Sequence, residues 1–246
     1  MSLALRKIVR ALLNQAGWEL HRYRPASDPW ALVLDQIRQH RIDVVLDVGA
    51  NVGQFASELR GKGYRGRIVS FEPLSSAHAT LLRNAENDPT WTVAPRGAIG
   101  SSNGEVMINV SQNSVSSSVL PISAALAQSA PEASYVRSEA TPLKTLDRAV
   151  EGLVEPTSRA FLKIDTQGFE YEVLNGAGET LKRTAVICVE TSLVPLYSGQ
   201  PLWRSIVERL EGDGWVLWDM RHAFSDPTTG QLLQADLVFS RTISGA

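Results

Sequence analysis

Short apolar runs alternate along most of this chain with segments whose apolar residues recur every three or four positions. The runs predict buried strands, and the periodic segments predict amphipathic helices. Strands that alternate with helices predict an α/β fold with a doubly wound, mostly parallel sheet. The predicted strands are 44–47, 67–71, 91–93 with a loose continuation to 98–100, 104–110, 161–165, 185–190, 215–220 and 235–240, and the predicted helices are 28–40, 54–60, 75–87, 169–175 and 203–210.

Two parts of the chain depart from this alternation. Residues 101–140 begin like a strand and continue as a stretch rich in serine, alanine and proline, which predicts a variable insertion that is partly helical or acts as a lid. The last two predicted strands follow each other without a helix, and Thr229-Gly230 marks a turn between them. They predict a terminal antiparallel hairpin. We expect residues 41–246 to form one domain.

Residues 1–40 precede that domain as a helical extension. Apolar residues recur there at helical spacing among basic ones, as is typical of an amphipathic helix. Such a helix can lie on an anionic membrane surface. It can also pack on the domain or on a second copy of the chain, which is the more common arrangement for a surface helix. The apolar positions are Leu5, Ile8, Val9, Leu12, Leu13 and Ala16, and the basic positions are Arg6, Lys7, Arg10, Arg22 and Arg24.

Composition and charge exclude several classes of protein. With 246 residues and a net charge of −2, the chain can bury a sizeable core but carries no excess of positive charge, so we expect no nucleic-acid partner. The single cysteine, Cys188, lies inside an apolar run and cannot form an internal disulfide, which favours a reducing, cytoplasmic compartment. No apolar stretch approaches the roughly 20 residues that span a bilayer.

The most informative segment is Asp47–Phe55, which leads from the first apolar run through two glycines into a helix. Glycine lets the backbone bend and lets a ligand approach closely, because it has no Cβ. The second predicted strand ends in Glu72-Pro73, where a carboxylate can bind both hydroxyls of a ribose. The two segments together indicate a nucleoside-bearing cofactor.

Two cofactors compete for this site. A dinucleotide site requires Gly-x-Gly-x-x-Gly, whereas Asn51 stands where the second glycine is expected and Asp47 would repel a pyrophosphate. The same acid suits a cofactor that carries an ammonium group and a sulfonium. The segment resembles motif I of the methyltransferases that depend on S-adenosylmethionine. An ordinary βα turn that needs glycine only for its geometry is the alternative without function.

A longer segment, Phe161–Ala177, resembles the signature of the FkbM family of methyltransferases, which reads apolar-Lys-apolar-Asp-x-Glu-Gly-x-Glu before an apolar pair and Gly-Ala. Together with Asp47–Phe55, Phe71-Glu72-Pro73 and Ser114–Leu120, the resemblance covers about residues 43–240. It implies the seven-stranded, Rossmann-like fold of class I methyltransferases. It also implies transfer of a methyl group from S-adenosylmethionine to a hydroxyl of a sugar, glycolipid or glycosylated natural product.

The resemblance further implies which residues hold the cofactor. By position, the first turn would hold its methionine part, Glu72 its ribose hydroxyls, and Ala98 with Ile99 its adenine. Gln167 departs from the pattern, because the family usually has Glu there, and this puts a direct acid role at that position in doubt. The implied cofactor residues are Asp47, Gly49, Ala50, Asn51, Gly53, Phe55, Glu72, Pro73, Ala98, Ile99 and Asp165.

Acids at strand ends are the candidates for catalysis, because ligands of open α/β sheets bind outside the carboxyl ends of the strands. A hydroxyl acceptor gains from a base that removes its proton, and Asp165, Glu190 and His222 can serve. His222 lies in the predicted loop between the last two strands. Asp165 and Glu190 end neighbouring strands and are also a candidate Mg²⁺ pair. An oxygen-ligand site needs further ligands, so structural roles for the two acids are favoured over a metal.

Four residues are candidates for the acceptor pocket: Ser117, Gln167, Tyr197 and Trp203. Tyr197 and Trp203 can stack on a sugar ring or pack their loop against the last helix. We expect a cytoplasmic O-methyltransferase that forms a homodimer, with contact to the inner membrane face through the first helix as an open alternative. A methyltransferase-fold partner or regulatory protein without catalysis, favoured only by Gln167, is the second hypothesis, and a nicotinamide-dependent oxidoreductase is the third.

Overall fold

The computed structural model describes residues 3–18 and 28–241. It divides into two compact units, residues 1–35 and 36–246. All candidate site residues lie in the second unit. Across the described residues, no helix is both long enough and apolar enough to cross a membrane.

The first unit contains helix α1 (Leu3–Gln15) and most of helix α2 (Pro29–Gln39). The carboxylate of Asp28 caps the second helix, because it accepts a hydrogen bond from the Ala31 amide at 2.8 Å. Arg22 and Arg24, which we predicted to add positive charge to this extension, lie outside the described residues.

The described part of the second unit is built from ten strands, which form two sheets. They are β1 (Val44–Val48), β2 (Arg67–Phe71), β3 (Trp91–Val93), β4 (Ala98–Ile99), β5 (Gly104–Ser111), β6 (Tyr135–Lys144), β7 (Ala160–Ile164), β8 (Thr184–Ser192), β9 (Val216–Ser225) and β10 (Leu232–Ser240). Seven of them form one sheet in the order β3-β2-β1-β7-β8-β10-β9. The first five are parallel, and β10 runs antiparallel to both of its neighbours. The predicted mostly parallel sheet with an antiparallel end is confirmed.

Helices connect these strands as the alternation predicts. They are α3 (Gln54–Gly61), α4 (Ser75–Ala85), α5 (Ala124–Ser129), α6 (Leu146–Ala149), α7 (Glu170–Asn175), α8 (Gly178–Lys182) and α9 (Trp203–Gly212), and a 3-10 turn lies at Pro131–Ala133. Helix α8 was not predicted, because five residues are too few to show a helical period.

The centre of the large sheet is buried on both faces. Every residue of β1 and β7 is buried, which explains why these strands appear in the sequence as continuous apolar runs. One face packs its aliphatic side chains against α7, α8 and α9. The other face carries Asp47 and Lys163 at its centre, and both are buried as well. At the centre of the sheet, buried charged side chains therefore lie on one face only.

The prediction that strand three continues to residues 98–100 is wrong. Ala98–Ile99 leaves the large sheet and pairs with β6 in a second sheet of three strands, in the order β4-β6-β5. The break follows Ala94, whose amide still bonds to the Ser70 carbonyl before the chain turns away. The predicted insertion at 101–140 thus contains β5, α5 and most of β6. Strand β5 agrees with the strand predicted at 104–110, whereas most of β6 was not predicted, because its side chains are largely exposed and leave a weak pattern.

The prediction that His222 lies in a loop is also wrong, because β9 continues to Ser225. The turn of the hairpin comes later, where the carboxylate of Asp226 accepts hydrogen bonds from the amides of Thr228 and Thr229 at 2.9 and 2.7 Å. His222 is paired with Ala235 of β10.

Candidate functional site

The strand order of the large sheet reverses between β1 and β7, and ligands of such sheets bind in the crevice at this point. In the register, Asp47 of β1 lies beside Ser70 of β2 and Lys163 of β7. Residues paired in this way point to the same face, and so do residues two positions further along. Gly49, Glu72 and Asp165 therefore follow on the same face at the carboxyl edge.

The turn after β1 depends on glycine at two positions. Gly49 has φ +82°, and a Cβ there would lie 1.8 Å from the Asp165 carbonyl oxygen, so the two strand ends touch only because this Cβ is missing. Gly53 has φ +91°, and a Cβ there would lie 2.7 Å from the Trp91 ring. Asn51, between them, adopts φ +48°, which is a left-handed conformation that non-glycine residues rarely take.

Glu72 stabilises this turn from the end of β2. Its two carboxylate oxygens accept the amides of Asn51 at 2.7 Å and of Leu74 at 2.8 Å. The side chain is 3% exposed. Burial raises its pKa to about 7, although the two amide hydrogen bonds act in the opposite direction. The carboxyl group is thus balanced between its charged and neutral forms near neutral pH.

Lys163 carries the only described cation in the middle of this buried face of β1 and β7. Its Nζ bonds to Asp165 Oδ2 at 2.6 Å and lies 5.9 Å from the centre of the Phe55 ring. Burial alone would lower the pKa of Lys163, but the neighbouring Asp165 and Asp47 raise it above the ordinary value. The ammonium stays charged and neutralises part of the acid cluster. Lys163 was not among the predicted site residues, although a lysine inside an apolar strand is an unusual feature that could have indicated its role.

Asp47 is completely buried and only partly satisfied. Its Oδ2 accepts a hydrogen bond from Ser70 Oγ at 3.3 Å, and Ser70 in turn accepts one from Trp91 Nε1 at 2.9 Å. Asp47 Oδ1 has no hydrogen-bond partner. Burial raises the pKa of Asp47 to about 6, while Lys163 lowers it. A buried carboxylate oxygen without a donor is uncommon and needs an explanation.

Asp165 and Glu190 meet through the side chain of Gln167. Gln167 Nε2 donates to Asp165 Oδ1 and to Glu190 Oε2, in both cases at 2.7 Å. Gln234 of β10 also donates to Glu190 Oε2, at 2.8 Å. Two carboxylates from adjacent strands are thus joined by one amide group.

The two acids have opposite pKa shifts. Burial would raise the pKa of Asp165, but Lys163 and the hydrogen bond from Gln167 hold it below the ordinary value. Burial raises the pKa of Glu190 well above the ordinary value, and the negative charge of Asp165 adds to this. Asp236, opposite Glu190 in the register, has a raised pKa through burial as well. We infer that Asp165 is ionised and that Glu190 is the acid of the pair that accepts a proton more readily.

Gln167 itself is held by several groups. It has φ +54°, its carbonyl oxygen accepts a hydrogen bond from Ser118 Oγ at 2.6 Å, and its Oε1 accepts one from Tyr197 at 2.7 Å. Glu170 accepts the amides of Thr166 and Gly168 at 2.9 and 3.0 Å and so closes the turn around it. Tyr197 is 1% exposed and its hydroxyl contacts Gln167, so its ring packs the loop and does not offer a face for a sugar.

Three other predicted residues do not join the carboxylates. His222 pairs with Ala235 and so lies on the opposite face from Glu190, where its Nε2 contacts Ser225 Oγ at 2.8 Å. Trp203 packs beside the aliphatic core of that opposite face, with the Arg204 guanidinium 5.1 Å from its ring. Ser117 Oγ accepts the Ser111 amide at 3.0 Å within its own loop.

The remaining predicted cofactor residues surround the turn. Ala50 is buried, and its amide and that of Gly49 both donate to the Phe71 carbonyl oxygen at 3.0 Å. The Pro73 carbonyl accepts Arg96 Nη1 at 3.0 Å. Ala98 and Ile99 are both 5% exposed and pack into two different apolar clusters.

The described residues contain no group of three or more His, Cys, Asp or Glu side chains arranged to hold a metal ion. Asp165 and Glu190 are the candidate pair for Mg²⁺, and the Gln167 amide lies between the two oxygens that would face such an ion. Their donor set therefore lacks a third carboxylate, and the shared position is already taken by a nitrogen.

Comparison with known proteins assigns this chain to a family. Residues 47–217 match the family model described as the methyltransferase FkbM domain. A curated relative, the hexuronic acid methyltransferase AglP of Haloferax volcanii, is 27% identical over 176 residues, which make up 70% of this chain and 65% of that protein. The chain therefore spans just under two thirds of the length of this relative.

A solved structure of a methyltransferase FkbM from Methylobacillus flagellatus KT is similar in fold. Its TM-score is 0.51 at 15% identity, over 80% of this chain and 43% of the other. The fold is thus similar although few residues are identical. Because the family model matches well over half of its residues, this chain belongs to the FkbM family of methyltransferases.

Proposed function

We propose that this methyltransferase uses S-adenosylmethionine to methylate a hydroxyl of a sugar, glycolipid or glycosylated natural product. The observation that carries the proposal is the joined pair of carboxylates, Asp165 and Glu190, directly beside the turn formed by Gly49 and Glu72. The turn is suited to a cofactor, and the pair is suited to removing a proton from an acceptor.

The residues around the turn fit S-adenosylmethionine. Asp47 Oδ1 is a buried acceptor without a donor, and Asp165 is held in its ionised form beside it. When bound, S-adenosylmethionine supplies a methyl group on a positively charged sulfonium. Asp47 and Asp165 favour positive charge at this place, and Glu72 would hold the ribose hydroxyls. The pyrophosphate of a nicotinamide dinucleotide would instead face all three acids, which disfavours an oxidoreductase.

The carboxylate pair would hold the proton that the acceptor loses. A carboxylate with a raised pKa is the stronger base once it is ionised, and Glu190 has that property. Its Oε2 already accepts hydrogen bonds from Gln167 and Gln234, so we assign the proton to Oε1. Asp165 keeps its charge through Lys163 and would orient the acceptor hydroxyl. His222, on the other face, has no part in this proposal.

A sugar acceptor is supported by the curated relative, whose name states that it acts on a hexuronic acid. We therefore infer an acceptor with several hydroxyls. The insertion, with its many serine and asparagine side chains around Ser111–Ser118, would line the pocket on the side of Gln167.

Calorimetric titration with S-adenosylmethionine tests the cofactor assignment. We expect binding to the wild type and a loss of at least tenfold in affinity for Glu72→Ala, because both of the turn amides and the ribose hydroxyls would lose their acceptor. Unchanged affinity in that variant would refute the assignment. Transfer of a labelled methyl group to a cell-extract glycan pool then tests the acceptor class.

A protein without catalysis that keeps the fold is the second candidate, and the observation in its favour is Gln167 at a position where the FkbM pattern has an acid. It predicts binding of S-adenosylmethionine without any methyl incorporation. The labelled-transfer measurement separates the two candidates directly.

For the N-terminal helix we propose peripheral contact with an anionic membrane surface on the cytoplasmic side, and for the whole chain a homodimer. The motivation is the mixture of apolar and basic residues in α1. Sedimentation with vesicles of anionic and of neutral lipid, with and without residues 1–27, tests the first proposal. Light scattering of the same two proteins tests the second, and a monomer at all concentrations would contradict it.

A further inference from the structure

Gln167 offers a specific clue to how this site works, because its single amide nitrogen joins two acids. The nitrogen lies 2.7 Å from Asp165 Oδ1 and 2.7 Å from Glu190 Oε2, so both of its hydrogens are used. Asp165 uses its other oxygen for Lys163, at 2.6 Å. The amide therefore spans from the Lys163-bound acid of β7 to the acid of β8.

The direction of this amide is determined by its surroundings. Two carboxylate oxygens on one side require the donor end, since an amide oxygen there would face two acceptors. On the other side, the Tyr197 hydroxyl donates to Oε1 at 2.7 Å. Tyr197 is buried and packs against Gly168, where a Cβ would lie 3.1 Å from its ring. The phenol is therefore a fixed partner that keeps Nε2 pointed at the acids.

The backbone of Gln167 is held in place as firmly as its side chain. Its left-handed φ of +54° is unfavourable for a residue with a Cβ, and it persists only where surrounding contacts impose it. Ser118 Oγ bonds to the Gln167 carbonyl at 2.6 Å, and Glu170 accepts the Gly168 amide at 3.0 Å. Contacts from the insertion and from α7 thus converge on this one residue.

Carboxylates in such a buried cluster repel each other unless a proton, a cation or a hydrogen-bond donor lies between them. Besides Asp165, the charged or titratable groups that act on Glu190 are Lys163, Asp236 and Glu170, and Tyr197 lies on the far side of Gln167. A cation that bridged Asp165 Oδ1 and Glu190 Oε2 would have to lie within about 2.0–2.6 Å of both oxygens. The amide nitrogen occupies the space between these same two oxygens.

We propose that Gln167 is a positioning residue that fixes the spacing of Asp165 and Glu190, and that its neutral amide takes the place of a bridging divalent cation. This inference rests on the proposed function of the two acids. It explains how the protein can be catalytically active although residue 167 is a glutamine and not the glutamate of the family pattern. The Gln167 side chain joins the two acids without a metal ion. A Glu of the same length would add a third carboxylate, and the three carboxylates would then need a cation between them.

The first test measures cation binding and requires no methyl transfer. We would record the thermal unfolding midpoint of the whole chain with Mn²⁺ and with EDTA for the wild type, Gln167→Glu and the control Gln128→Glu, which adds the same charge at an exposed site in α5. We expect no shift for the wild type or the control. For Gln167→Glu we expect a rise of about 3–6 °C when Mn²⁺ is present at ten times its dissociation constant.

Two results would overturn the inference. One is a wild type that Mn²⁺ stabilises and whose response disappears in Glu190→Gln, since a cation would then bind despite the amide. The other is a folded Gln167→Glu that ignores Mn²⁺, since the spacing of the oxygens would then not suit a cation. Because these measurements do not depend on turnover, they decide the inference even if the wild type transfers no methyl group.

The second test uses activity as the readout of positioning. We expect Gln167→Glu to be slow in EDTA and to regain at least tenfold in kcat with Mn²⁺, while the wild type is unaffected by either addition. Tyr197→Phe removes the donor that orients the amide, and we expect it to lower kcat about tenfold with little change in the affinity for S-adenosylmethionine. A Tyr197→Phe enzyme with unchanged kcat, or no recovery of Gln167→Glu with Mn²⁺, would contradict a positioning role.

Discussion

The two halves of the site are held together in different ways. In the half formed by the turn after β1 and the end of β2, backbone amides make the contacts: those of Asn51 and Leu74 bind Glu72, and that of Gly49 binds a carbonyl of β2. In the half formed by β7 and β8, side chains hold other side chains, as Lys163 and Gln167 do with the acids. The structure of the first half therefore depends on backbone geometry, whereas that of the second half depends on the charges of side chains and on the position of a proton.

This difference predicts where substitutions should act. A backbone turn without a Cβ tolerates no added volume, so changes in the first half should alter folding and cofactor affinity. A side-chain network can keep its shape while one atom changes its charge, so changes in the second half should alter the rate at nearly constant affinity. The following predictions test this contrast in order of decreasing effect.

Gly49→Ala should have the largest effect. Its Cβ would lie 1.8 Å from the Asp165 carbonyl oxygen, and its φ of +82° is strained for alanine, so we expect a loss of more than about 3 kcal/mol in the free energy of unfolding. Gly61→Ala is the matched control, because its Cβ would meet nothing within 4 Å, and it should stay within about 1 kcal/mol of the wild type. Urea denaturation of both variants measures the difference, and equal stability would show that the two strand ends do not touch as described.

Glu190→Gln should have the next largest effect, and it should change the rate of methyl transfer while the affinity for the cofactor stays nearly constant. The substituted amide keeps the shape and can still accept from Gln167 and Gln234, but it cannot take a proton, so we expect kcat to fall about 10²–10⁴-fold. Affinity for S-adenosylmethionine should change less than about threefold. Single-turnover transfer and calorimetry measure the two quantities. A fall in affinity without a fall in rate would reverse our assignment of the two halves.

Lys163→Met should destabilise the side-chain half by about 2–3 kcal/mol, because it leaves the mostly buried Asp165 without its cation. The matched control is Lys182→Met, whose ion pair with Glu179 is 71% and 75% exposed and should contribute less than about 0.5 kcal/mol. Denaturation at pH 7 compares the two variants. Equal losses would mean that the buried pair has no more effect than a surface pair.

The pH dependence of cofactor affinity should have the smallest effect, and it belongs to the backbone half. Burial raises the pKa of Glu72 to about 7, so its carboxylate is mostly protonated at pH 6 and mostly ionised at pH 8. If only the ionised form accepts the ribose hydroxyls, affinity should rise roughly tenfold from pH 6 to pH 8. Glu72→Gln should bind more weakly and show a much flatter profile.

The same shift has the opposite sign for stability without ligand. Because the folded pKa of Glu72 lies above its ordinary value, its contribution to stability is complete below about pH 4.5 and is lost as the pH rises through about 7. Asp47, with a pKa raised to about 6, acts in the same direction. Opposite trends of stability and affinity over this range would be the signature of these buried acids, and a free protein that gains stability from pH 5 to pH 8 would contradict it.

Features of this protein with a local determinant could be predicted from its sequence. The apolar runs of β1 and β7 predicted buried parallel strands, and Gly49 with Gly53 predicted the turn, because a strand buried on both faces and a left-handed φ both leave a mark on the residues themselves. Prediction from the sequence failed for Ala98–Ile99 and for the end of β9, where short or half-exposed strands leave a weak pattern.

The alternating fold, the glycine turn and the acids at the ends of the strands could be predicted from the sequence, since each follows from a few adjacent residues. The three-dimensional arrangement was needed to show that Lys163 is shared by acids of two strands, that Gln167 joins Asp165 to Glu190, and that His222 lies on the opposite face. Some of these relations join residues that are up to 116 positions apart in the sequence and are paired in the sheet. Others depend on which face of the sheet a side chain occupies. The spacing of neighbouring residues in the sequence predicts neither.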